Sequence, residues 1–308
     1  MTRTTELPAG VRVFERGWLS SNNILITGEG GPSALVDSGY WSHADQTVQL
    51  VGHALGARSL DLLVNTHLHS DHCGGNAALQ ARYPGLETWV PPGQAPQVRE
   101  WDPYALSYVP TGQFCPRFRA DHLLMPGSTI RLGALDWQVH AAAGHDPHAV
   151  LLFEPQTRTL LSADALWENG FGIVFPELEG DRAFDDVART LDLIETLEPS
   201  CVIPGHGPVF SGVDRALSTA RKRLEGYVAA PGKHARHAAK VLLKFKLLEV
   251  QSFSDETLHQ WAATTDILQM LQQRWERDIE PVKWIDSLVE DLVRAGAAQR
   301  MNGCLVNA

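Results

Sequence analysis

Short apolar runs separated by glycine- or proline-containing turns fill the first two thirds of the chain, and helical spacing takes over in the last third. Runs of alternating or continuous apolar character fall at Val11–Phe14, Asn23–Thr27, Ala34–Asp37, Leu60–Thr66 and Thr88–Val90. They resume at Thr129–Leu132, Leu135–Ala142, Ala149–Phe153, Thr159–Ser162 and Cys201–Ile203. Their lengths and patterns predict strands. His43–Gly56, Gly74–Arg82 and Arg182–Leu197 carry helical periodicity instead. Strands interspersed with a few helices predict an α/β architecture in which sheets are covered by helices. From about Asp214 the chain reads as consecutive helices and ends in GAAQRMNGCLVNA, where Asn302 and Gly303 stand between two β-like runs as a hairpin turn requires. The expected division is a catalytic domain over 1–230 and a small helical domain over 231–308, with no internal repeat.

The stretch NTHLHSDHCGG, Asn65–Gly75, adds chemistry to this pattern. His67, His69, Asp71 and His72 follow HxHxDH directly after a predicted buried strand. In an extended or turning segment, positions two apart point the same way, so His67 and His69 suit one metal while Asp71 and His72 turn toward a second. Gly74 and Gly75 let the chain turn tightly into the next helix. One loop cannot complete two metal shells, and further ligand-type residues stand after other apolar runs: His145 in AAAGHDPH, Asp164 in LLSADALW and His206 in VIPGHGP.

This set of motifs, in this order over roughly Val11–Phe210, resembles the metallo-β-lactamase-fold hydrolases. The resemblance implies an αββα sandwich with the motifs along one edge of its sheets. It also implies that His67, His69 and His145 hold the first metal, that Asp71, His72 and His206 hold the second, and that Asp164 bridges them, Asp71 and Asp164 being the catalytic carboxylates. Asp37 in ALVDSG matches the position of a carboxylate that supports the histidine loop. His148 is open between orienting a ligand, touching substrate and a structural role. Imidazole and carboxylate ligands without thiolate suit two divalent ions, zinc first, with iron or manganese as alternatives. The implied chemistry is hydrolysis, a metal-bound hydroxide attacking an ester, thioester or lactone carbonyl. The alternative is a phosphodiesterase or ribonuclease using the same site. A regulatory protein with a structural metal fits less well, because structural zinc is normally a closed tetrahedral site.

The departures matter. True metallo-β-lactamases have cysteine or serine where this chain has Asp164. Glyoxalase II is similar in its metal set but differs in the tail, and lactonases of the family carry tyrosine where this chain has Trp167. PGHGPV and the helical tail are more similar to lactamase-like hydrolases with a C-terminal winged-helix-like domain. The stretch Trp101–His122 is aromatic, proline-rich and long for a connection, and is expected to line an apolar acyl pocket with Trp167 and Phe171 or to pack onto the core. Arg221–Lys246 holds eight lysines or arginines and one acid, Glu225, which suits either an anionic partner or a solvated helix face.

Composition narrows the rest. A chain of 308 residues, 44% hydrophobic, supports one large core with an appendage. It has no run of about 18 apolar residues, and its N-terminus lacks the apolar core of a signal peptide, so a cytoplasmic protein without membrane contact is expected. The four cysteines are scattered without a CxxC pair, which indicates neither a disulfide framework nor a cysteine zinc site. The net charge of −10 disfavours a broad nucleic-acid surface. The expected partner is a small-molecule substrate, with nucleic acid as the lesser alternative and a homodimer left open.

Overall fold

A computed structural model describes residues 7–308. Its first sheet orders six strands as β1 (Val11–Phe14), β2 (Asn23–Ile26), β3 (Ala34–Val36), β4 (Leu62–Val64), β5 (Glu87–Val90) and β6 (His122–Leu123). The pairings are antiparallel through β3 and parallel from β3 to β6. The second sheet contains β7 (Thr129–Leu132), β8 (Leu135–Ala141), β9 (Val150–Glu154), β10 (Thr159–Ala163) and β11 (Cys201–Pro204), in the order 11-10-9-8-7. Only β10 and β11 run parallel. Each expected strand is present, with ends shifted by up to two residues.

The alternation of the strands sorts the core into layers. Ile24, Ile26, Val36 and Val64 of the first sheet pack with Trp137, Val139, Leu152, Leu161 and Ile203 of the second. The opposite face of the first sheet, with Leu25, Leu35 and Leu63, packs on α1 (Ala44–Leu55) and α3 (Asn76–Arg82) through Val51, Leu55 and Leu79. Within the second sheet, β9 and β10 are buried at every position. In α6 (Phe184–Leu197), Thr190 hydrogen-bonds the Ala143 carbonyl beyond β8. The result is an αββα sandwich. Between these helices, α2 (Ser70–Cys73), α4 (Ala95–Glu100) and α5 (Phe175–Glu179) are short.

The chain divides into two compact units. One reaches Asp102 and resumes over Cys115–Glu225; the other comprises Pro103–Phe114 and Gly226–Ala308. The division therefore falls inside α7 (Val213–Ala229), close to the sequence-based boundary, and assigns the middle of the Trp101–His122 stretch to the C-terminal unit. That unit contains α8 (Pro231–Val250), β12 (Ser252–Ser254), α9 (Asp255–Thr264), α10 (Asp266–Trp275), α11 (Pro281–Arg294), β13 (Ala298–Met301) and β14 (Cys304–Asn307), its strands ordered 12-14-13. Asn302 and Gly303 both take positive φ, 51° and 76°, as expected of a tight hairpin joining β13 to β14. Within the unit, Tyr104 hydroxyl donates to Asp266 and the Ile267 amide to the Pro110 carbonyl. In this segment Leu106 and Tyr108 are buried, whereas Tyr104, Val109 and Phe114 are exposed. Among the described residues no helix is long and apolar enough to cross a membrane.

Candidate metal centre

The ends of β4, β8, β10 and β11 converge, and with them all seven sequence-predicted ligands. The two sheets are tied beside the site by the Val150 amide, which donates to the Thr66 carbonyl at 2.8 Å. The His206 loop is tied from another direction. The Asn22 amide donates to the Gly205 carbonyl at 2.7 Å, and its side-chain amide donates to the carbonyls of Pro204 and Gly207. Ligand atoms lie within 4.8 Å of one another in three groups: His67, His69 and His145; His67, His72 and Asp164; Asp71, His72 and His206.

Asp164 stands between these groups. Its Oδ1 is 3.5 Å from His72 Nε2, and its Oδ2 is 3.4 Å from His145 Nε2 and 3.8 Å from His206 Nε2. His206 Nε2 is also 3.2 Å from Asp71 Oδ2, and His69 Nδ1 is 2.8 Å from His145 Nε2. The glycines clear the space these groups need. A β-carbon at Gly205 would lie 2.2 Å from Asp164 Oδ1, and one at Gly75 would lie 2.5 Å from the Ser38 carbonyl. Gly74 and Gly75 have negative φ, so close backbone approach rather than a left-handed turn explains them.

Tautomers follow from the outer contacts. His145 Nδ1 faces the Ile173 carbonyl at 2.5 Å and must donate to it, which leaves Nε2 of the neutral ring as a lone pair aimed at Asp164. His72 Nδ1 faces Asp37 Oδ2 at 2.7 Å, and its Nε2 faces Asp164 Oδ1 at 3.5 Å. Asp37 is held in the left-handed region, φ 56°, while its carboxylate accepts from the Thr66 amide and hydroxyl. It therefore supports the histidine loop from behind.

A lone pair of His145 facing the Asp164 carboxylate across 3.4 Å fits a cation between them. The buried Nε2 of His67 and Nδ1 of His206 have no hydrogen-bond partner. Burial and the neighbouring imidazoles hold His67 well below the ordinary histidine range. His69 is pushed down to about 4, again chiefly by burial, so both keep a lone pair at neutral pH. For His72 burial acts in the same direction, but the carboxylates of Asp164, Asp37 and Asp71 outweigh it and raise its proton affinity well above normal. For Asp164 burial raises the pKa, but His206, His72 and His145 outweigh it and hold the carboxyl well below its usual range. The donor set fits divalent cations.

Several contacts lay beyond the motifs. Trp18, 58% exposed, stacks on His206 with ring centroids 5.4 Å apart and meets Trp167 edge-on at 5.3 Å. Phe175 packs edgewise on His69 and His145. Buried Asp146 places Oδ2 3.8 Å from His69 Nε2. Its position directly after His145 was readable, whereas nothing in the local sequence marks Trp18 or Phe175. Phe171 is buried. The His148 amide donates to Asp146, while the imidazole is where a β-carbon of Gly93 would fall.

The family model of the metallo-β-lactamase superfamily matches residues 16–206. A hydroxyacylglutathione hydrolase of Francisella tularensis subsp. holarctica is 29% identical over 161 residues, 52% of this chain and 54% of that protein. The chain thus spans about half the length of such relatives. A hydroxyacylglutathione hydrolase of Haemophilus ducreyi is 30% identical over 222 residues, 71% of this chain and 75% of that protein. Among solved structures, a metallo-β-lactamase family protein from Thermus thermophilus shares the fold. It has a TM-score of 0.58, 18% identity, and coverage of 98% of this chain and 99% of the other.

Proposed function

The chain belongs to the metallo-β-lactamase superfamily, and from that premise we propose that it is a metal-dependent hydrolase of carboxylic thioesters or esters, lactones included. Members of the superfamily bind divalent metals, typically two. The observation that carries the proposal is the convergence of six histidine and aspartate side chains around Asp164. His67, His69 and His145 would hold one ion and Asp71, His72 and His206 the other, with Asp164 shared and zinc the first choice of metal. Bound there, the ions supply Lewis acidity and a water of lowered pKa.

The remaining work falls to the protein. Ile173 and Asp37 fix the tautomers of His145 and His72, which presents the same lone pairs on every turnover. Trp18, Trp167 and Phe175 border the cluster with apolar surface that suits the acyl part of a substrate and excludes water around the carbonyl. The thioesterase relatives support the acyl reading.

The basic stretch gives nucleic acid little support. Arg221 pairs with Asp192 and Glu195, Arg236 and Lys240 with Asp291, and Lys246 with Glu249. Lys244 donates to the Ala297 carbonyl and to Asn307. Four of the eight cations are thus already paired with carboxylates, and charges so neutralised contribute little to binding phosphates.

The test is a side-by-side panel of acyl thioesters, esters, lactones, bis(p-nitrophenyl) phosphate and single-stranded RNA on one metal-quantified preparation. The acyl substrates should show the higher kcat/KM with close to two metals per chain. Faster turnover of the diester or RNA would overturn the acyl assignment, and one tightly held metal after supplementation would overturn the binuclear one.

A further inference from the structure

We propose that Trp167 is a positioning residue whose indole N–H orients the carboxylate of Asp164 for both metals while its ring forms the substrate wall. The proposal rests on the hydrolase reading for the wall and on geometry alone for the carboxylate. Trp167 Nε1 lies 3.2 Å from Asp164 Oδ1, the oxygen that also faces His72. The other oxygen faces His145 and His206. Rotation about the Cβ–Cγ bond would move both oxygens off their respective sides, and a donor fixed at Oδ1 opposes that rotation.

The donor is itself held in place. The Trp167 amide donates to the Gly170 carbonyl at 2.7 Å, closing a tight turn directly after Asp164. Gly170 has φ 125°, and a β-carbon there would meet the Arg223 guanidinium, which donates to the Phe171 carbonyl at 3.5 Å. The indole ring packs edgewise on His206 at 5.5 Å and on Trp18 at 5.3 Å. Its rotamer is therefore fixed by backbone, imidazole and indole together. Phenylalanine would supply a similar apolar wall, but only indole adds a donor aimed at Asp164. Trp18 meets His206 and Trp167 through its ring.

Three variants of the full chain separate the two roles: Trp167→Phe, Trp167→Leu and Trp18→Ala. Zinc affinity is measured by competition with a chromophoric chelator, and kcat and KM with the acyl substrates of the panel. Trp167→Phe should lower affinity for the more weakly held zinc about tenfold and lower kcat, with KM for a long acyl chain nearly unchanged. Trp18→Ala keeps the indole N–H at position 167 and should raise KM for long chains while lowering zinc affinity less than either Trp167 variant does. Trp167→Leu also lacks the N–H and should repeat the zinc defect, so either Trp167 variant whose metal-free form melts at the wild-type temperature of the metal-free protein decides the matter. Wild-type zinc affinity in such a variant would overturn the proposal. The zinc measurement needs no substrate, so it stands if the acyl assignment fails.

Discussion

A methyl group at Gly205 would sit 2.2 Å from Asp164 Oδ1 and 3.0 Å from His72 Cε1, well inside contact distance, so Gly205→Ala must displace one or the other. Metal content measured by elemental analysis should fall from two toward one per chain. Hydrolysis should drop on the order of a hundredfold, because displacements of about 1 Å around a reacting centre have costs of that size. Asp164→Ala removes the carboxylate shared by both halves and should abolish most activity while loosening the second metal first; near-normal turnover with both metals retained would refute its bridging role. The clustering of the seven residues was legible because imidazole and carboxylate gathered at strand ends have few competing explanations. The aromatic border was not legible to the same degree. Trp167 follows Asp164 closely, but Trp18 reaches His206 only through the closure of the sandwich, and no local pattern announces such a contact.

Among the elements, strands with strong period-two patterns were readable nearly to the residue. Two-residue β6 and three-residue β12 are too short to show a period. The helical tail was legible as helices, whereas the recruitment of Pro103–Phe114 into that unit is a tertiary preference without a sequence signature. Helix α8 carries His234, buried beside Tyr227. Burial, and secondarily His237, pushes its pKa down to about 4. Its folded pKa is below the unfolded value near 6.5. The stabilisation is therefore complete above about pH 6.5 and is lost as the pH falls toward 4, at a cost of at most about 3 kcal/mol. His234→Leu should flatten this dependence. Denaturant midpoints at pH 7.5 and pH 5 should differ less in the variant than in the parent, and an equal difference in both would show that His234 does not contribute.

For the whole molecule, the seven side chains come from both sheets, so an ion bound among them would stabilise the sandwich. Each tenfold rise in free zinc above the dissociation constant should add about 1.4 kcal/mol, so the melting temperature should climb with the logarithm of free zinc and fall after chelation. Scanning calorimetry at buffered zinc concentrations checks this, and a melting temperature indifferent to zinc would place the ions outside the cooperative unit. The split origin of the centre also has a temporal consequence. His67, His69, Asp71 and His72 are made early, whereas His206 follows β11, the last strand of the second sheet. At ribosomal rates of about 5–20 residues per second, roughly seven to thirty seconds of synthesis separate the two. His145 and Asp164 are added during that interval, but the group of Asp71 and His72 lacks His206 until its end. Maturation of the centre is therefore gated by translation through β11, and nascent chains stalled before Cys201 should fail to retain a pair of ions that chains released after the full sandwich do retain.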